Sequence, residues 1–227
     1  MAIPNATVSL RVFARLLSYP DATQRKHLPS MREALHAEAA VSSGRLAELD
    51  ALIDSLGRGD GLDIEEFYVE MFDRGRATSL HLFEHVHGDS RDRGPAMIDL
   101  AQTYEKAGLF LAPGEMPDYL PAVLEFVSTQ PPAEARAFLS EMAHIFSTIF
   151  AALQQRQSAY ASIIGALLEL AGEQAQAVKL APEEALDDSW TEPVVFDGCS
   201  SQGQARPNQP QPVHIVRKGN PTQGVSI

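Results

Sequence analysis

The sequence contains a single cysteine in 227 residues. Cys199 cannot close an intramolecular disulfide, and it stands in a polar Gly/Ser-rich stretch, so a cytoplasmic chain is the expectation. Long apolar runs are missing too. A membrane span needs about 18 uncharged apolar residues, whereas the best stretch, YASIIGALLELAG, has 13 residues and contains Glu169. The N-terminus lacks a basic segment leading into an unbroken apolar core, since Arg11 and Arg15 interrupt it, which argues against a signal peptide. Basic residues are also few, 18 Lys and Arg against 30 Asp and Glu, for a formal charge of −12. That balance argues against nonspecific binding to nucleic acid or anionic lipid and makes a basic partner more natural, while acidity that serves solubility alone is the bland alternative.

Catalytic loops are equally scarce. No G-x-x-x-x-G-K-[ST] or G-x-G-x-x-G stretch offers a phosphate cradle, and no G-x-S-x-G elbow presents a serine. No β-hairpin dipeptide or repeat period stands out.

What is present is helical periodicity in a chain that is 44% hydrophobic and 21% charged, ordinary values for a packed globular protein. In TVSLRVFARLLSYPD, Val8, Leu10, Val12, Phe13, Leu16 and Leu17 form a broad stripe, Thr7 is a candidate cap and Pro20 a stop. A second helical stretch is interrupted by Pro29 and resumes at SMREALHAEAA, and GRLAELDALIDSLG ends at Gly57. LDIEEFYVEMFDRG offers Asp63 as cap with Glu66 three residues on. SLHLFEHVHG runs from Ser79 to Gly88, RGPAMIDLAQTYEKAGL carries Pro95 in its first turn, and PDYLPAVLEFVST offers Asp118 as cap. PPAEARAFLSEMAHIFSTIFAALQQRQ and SAYASIIGALLELAGEQAQAV close the series. The expectation is an all-α, single-domain bundle of about eight to ten helices over residues 1–181. Residues 182–227 hold six prolines and four glycines among Gln, Ser and Asn and read as a largely disordered, low-complexity tail.

The letters H-x-x-E-H at 81–85 raise a zinc hydrolase as one reading. Histidines four apart on a helix reach one metal, and Glu84 would act on the bound water. His87 and Asp89 add metal-capable groups nearby. Against it, Gly88 stops the helix early and no third ligand announces itself. The bland alternative has these imidazoles hydrogen-bonded at a polar junction. Around the same helix Asp73, Arg74, Arg76, Glu84, Asp89, Arg91, Asp92 and Arg93 interleave both signs, a pattern suited to Arg–carboxylate pairing between loops.

The stretch YVEMFDRGRATSLHLFEHVHGDSRDRGPAMIDLAQTYEKAGL, followed by EMPDYLPAVLEFV, resembles the respiratory nitrate reductase assembly chaperones, also called the nitrate reductase delta subunit family, within the wider molybdoenzyme chaperones. Phe72, Asp73, Arg74, Arg76, Ser79, Leu80, His85, His87, Gly88, Asp89, Ser90, Arg91 and Arg93 carry the resemblance, with residues 117–121 and Leu124, Glu125 and Phe126. WTEPVVFDGCS in the tail is similar to longer members.

The resemblance implies a chaperone, not an enzyme, with no permanently bound cofactor. It implies binding to the apo alpha subunit of nitrate reductase through that subunit's N-terminal, leader-like peptide. Insertion of the molybdenum cofactor and delayed membrane docking follow, with cofactor biosynthesis proteins as further partners and transient proximity to the cofactor. A groove is expected near residues 63–88 and 118–126, with Tyr119, Leu120 and Phe126 as apolar contributors and Glu70, Asp73, Asp118 and Glu125 as acidic ones. A permanent helical subunit of a larger complex is the third reading.

Overall fold

The computed structural model describes residues 4–88 and 90–173. Expectations for the tail, Cys199 and Asp89 lie outside the described residues. Eleven α-helices occupy the described chain: α1 (Thr7–Leu16), α2 (Ala22–Lys26), α3 (Leu28–Glu38), α4 (Ser43–Arg58), α5 (Gly61–Phe72), α6 (Leu82–Val86), α7 (Arg93–Lys106), α8 (Leu120–Val127), α9 (Pro132–Glu141), α10 (Ala143–Gln155) and α11 (Ala161–Ala171). A 3₁₀ turn, Arg76–Thr78, precedes α6.

The architecture centres on α11, whose residues from Ser162 to Leu168 are all buried. A helix apolar on every side must be enclosed by others, and α4, α9 and α10 pack around it. Its end is set by Gly172 at φ +81, where the Glu173 amide donates to the Leu168 carbonyl. On the other side of the core α1 packs on α3 and α8 through Phe13, Leu16, Leu17, Leu120, Val123 and Leu124. Each such side chain contributes roughly 1.5–3 kcal/mol by leaving water.

The helix count exceeds the expected eight to ten because 132–155 is two helices, bent by 64° at Met142. The bend lets α9 and α10 both pack on α11. Pro29 sits at the start of α3, where its missing N–H costs nothing, rather than interrupting it. Caps shift as well. Asp60, not Asp63, caps α5 by accepting from the Leu62 amide at 3.0 Å. Thr7 is the first residue of α1 and bonds back to the Asn5 carbonyl oxygen of its side chain.

The element that stands apart is α7. Of its fourteen residues only Tyr104 is buried. The Tyr104 hydroxyl donates to the Pro117 carbonyl at 2.8 Å, and its ring lies 4.7 Å from that of Phe126. No single helix among the described residues is long and apolar enough to cross a membrane; the bent pair α9–α10 passes that test only jointly.

Candidate functional site

The stretch that dominated the sequence reading folds around one carboxylate. Asp118 has no exposed surface. It was expected to cap the helix that follows, but that helix starts after Tyr119 and the Asp118 side chain turns the other way. It accepts from the Phe83 amide in the first turn of α6 at 3.2 Å and lies 3.4 Å from His81 Nδ1 and 3.6 Å from Arg93 Nη2. Arg93 Nη2 also faces Glu84 at 3.5 Å. The backbone joins in: the Leu82 amide donates to the Asp118 carbonyl at 3.0 Å and the Leu120 amide to the Leu80 carbonyl at 2.8 Å. This is an isolated antiparallel bridge between His81 and Tyr119. A carboxylate at a helix N-terminus stabilises the unpaired amides and the dipole there. Asp118 thus caps α6 from a distance of more than thirty positions in sequence and ties α7 to both.

The zinc reading fails on this geometry. His81 precedes α6, in extended conformation, so it and His85 do not share a helix face. His81 is paired with Asp118, and His85 Nε2 bonds the Ser79 carbonyl at 2.9 Å. No group of three or more metal-capable side chains converges among the described residues. The hydrogen bond to Asp118 raises the His81 pKa above its ordinary 6.5, against the effect of burial. Burial lowers that of His85.

The rest of the expected loop residues are mainly structural in placement. Ser79 is buried and its Oγ accepts from the His81 amide at 3.2 Å. The Thr78 hydroxyl bonds the Met71 carbonyl, and Arg156 reaches both groups at 3.4 Å. The His87 ring stands edge-on to Phe83, and Gly88 takes φ +52, a conformation that favours glycine. Ser90 caps the turn into α7 by accepting from the Asp92 amide at 3.2 Å. Arg74, Arg76 and Arg91 are exposed.

Beside this clasp lies an open groove of about 450 Å³. One wall is α1, with Arg11 and Arg15; the other is α8 and its end, with Pro121, Ala122, Glu125 and Phe126. Tyr104, Leu109, Phe110, Leu111 and Glu115 close it from the α7 side. Two polar contacts cross between the walls: Arg15 to Glu125 at 3.7 Å and Arg11 Nε to Ser128 Oγ at 3.1 Å. Tyr119 sits at one end, its hydroxyl 3.3 Å from that of Tyr68. Burial raises the pKa of both phenols.

Of the residues expected at a partner surface, Tyr119, Glu125 and Phe126 line this groove. Asp118 and Leu120 have no exposed surface, Asp118 because it caps α6 and Leu120 because it fills the α1–α8 core. Glu70 on α5 and Asp73 just past its end are exposed but are not part of the groove, and the segment 63–88 does not form its wall. Arg11, Arg15, Phe110 and Glu115 were not foreseen. Arg11 and Arg15, one turn apart on an apolar helix, are the sequence signal that points to them. Phe110, 80% exposed, comes from an apolar run in a Gly/Pro loop without helical period.

The fold is an all-helical one that a solved structure shares. A crystal structure of a putative redox enzyme maturation protein from Archaeoglobus fulgidus superposes with a TM-score of 0.54 at 20% identity, covering 74% of this chain and 94% of that one. The nitrate reductase delta subunit family profile matches residues 37–164. The nitrate reductase molybdenum cofactor assembly chaperone NarJ of Escherichia coli K12 is 44% identical over 202 residues, 88% of this chain and 84% of that protein. The probable assembly chaperone NarW of the same organism is 42% identical over 144 residues, 59% of this chain and 62% of that protein. The chain belongs to the nitrate reductase delta subunit family.

Proposed function

We propose that this protein is a dedicated cytoplasmic chaperone of respiratory nitrate reductase. It binds the apo alpha subunit, including its N-terminal leader-like segment, and holds it until the molybdenum cofactor is inserted and membrane docking follows. The groove between α1 and α8 is where that segment binds. The observation that carries this reading is the groove itself, about 450 Å³ and lined by apolar side chains such as Leu109, Phe110 and Phe126 together with Arg11, Arg15, Glu115 and Glu125, in a chain related to assembly chaperones. Its size lies within the roughly 300–1,000 Å³ of ligand clefts. It takes a few apolar side chains of an amphipathic helix laid along it, not a folded domain. The chain's −12 charge attracts a basic segment, and Glu115 and Glu125 are the acidic side chains of the groove beside Arg11 and Arg15.

The test is co-purification of the full chain with apo alpha subunit that retains or lacks its first few dozen residues. Retention must fall sharply without that segment. Equal recovery of both forms overturns the groove assignment. Affinity for a synthetic peptide of the same segment must also weaken as salt rises.

A further inference from the structure

The groove carries its own counter-ion for the charge that a basic segment would seek. Glu125 on α8 projects into the groove, and its ion-pair partner there is Arg15 on α1, at 3.7 Å with the side chains 58% and 66% exposed. Arg11, one turn earlier, is instead held by Ser128 Oγ at 3.1 Å. Glu115, the other acidic residue of the groove, accepts from the Ala112 amide at 3.0 Å and braces its own loop. An exposed pair at such a distance is weak and exchanges readily with other ions.

Building on the groove assignment above, we infer that Arg15 is an internal competitor: it occupies Glu125 in the empty chaperone and is displaced by a basic side chain of the incoming segment. Arg15 therefore sets a threshold on what the groove accepts. A purely apolar helix gains nothing from displacing it, whereas a helix that presents Lys or Arg one or two turns from its apolar face takes over Glu125. The Arg15 side chain, two-thirds exposed, swings into water without disturbing the core. The partner so selected is a basic amphipathic helix; an acidic one would use Arg15 as its anchor and would not need Glu125.

The experiment is calorimetric titration of the full chain with a synthetic peptide of the alpha subunit's first few dozen residues. Wild type, Arg15→Ala, Glu125→Gln, the double variant and Ala122→Arg are compared at low and high salt, with far-UV circular dichroism confirming the fold. Arg15→Ala is expected to tighten binding about three- to fivefold at low salt, the size of an exposed pair. Glu125→Gln must weaken binding, and in the double variant the gain from Arg15→Ala must vanish. Weaker or unchanged binding by Arg15→Ala overturns the inference and, if weaker, identifies an acidic anchor in the partner. Ala122→Arg places bulk and a positive charge on the α8 wall of the groove and must abolish binding of a basic segment. If it does not, the groove assignment itself fails, an outcome separate from failure of the Arg15 effect.

Discussion

Replacing Asp118 tests the clasp most directly. Asp118→Ala removes the acceptor for the Phe83 amide and the counter-ion for His81 and Arg93. Losing a helix cap costs about 1 kcal/mol. Breaking a fully buried ion pair costs about 3–5 kcal/mol, but His81 and Arg93 are 36% and 27% exposed, so water and Glu84 recover much of that. The sum is about 2–3 kcal/mol. Asp118→Asn keeps an oxygen for the Phe83 amide and loses only charge, about 1–2 kcal/mol. Urea denaturation followed by circular dichroism reads the difference. With a slope of about 2 kcal/mol per molar for a chain of this size, the midpoint falls by about 1 M for alanine and about half that for asparagine. Equal losses for the two variants would refute the capping role. A loss below about 0.5 kcal/mol for alanine would refute the clasp altogether.

The two histidines should tilt stability in opposite senses. His81 has a raised folded pKa, so its contribution is full below its ordinary 6.5 and is lost as pH rises through the folded value. His85 has a lowered one, so its contribution is full above 6.5 and is lost as pH falls toward the folded value. In urea midpoints measured between about pH 5 and 8, His81→Gln should flatten the alkaline decline and His85→Gln the acid one; unaltered profiles would contradict these pairings. Tyr104→Phe removes the donor to the buried Pro117 carbonyl, costs about 1–3 kcal/mol, and should speed amide hydrogen exchange throughout residues 93–106; unchanged exchange there would mean that the Arg93 contacts with Asp118 and Glu84 suffice to hold α7. Leu120→Ala should cost about 2–5 kcal/mol of stability, while Glu70→Gln should change neither stability nor peptide affinity measurably; a peptide defect in Glu70→Gln would move the binding surface to α5.

The all-helical fold was legible because apolar residues recur at helical spacing wherever a helix buries one face, as in α1 and α4. The break at Met142 was not. No proline or glycine marks it, and the bend comes from two helices wrapping one central neighbour, a tertiary cause. The H-x-x-E-H letters, argued against as a zinc site from the sequence, give hydrogen-bonded imidazoles for a related reason: spacing makes a shared helix face only if the helix starts early enough, and Asp118 fixes its start after His81. Likewise Leu120 and Glu125 look equally available in PDYLPAVLEFV, yet one faces the α1 core and the other the groove. Which residues meet a partner depends on where α1 lies, and nothing local in that segment encodes it.

The thin attachment of α7 gives the protein a built-in reporter. Burial raises the Tyr104 phenol pKa, and its hydroxyl is committed to Pro117 only while α7 lies against α8. When α7 lifts, that phenol meets water and ionises near its ordinary value. Tyrosinate absorbance in mild alkali, compared between the native chain and Tyr104→Phe, would therefore time the helix's excursions without any label. A ligand that slows those excursions would show itself in the ultraviolet absorbance of a single side chain.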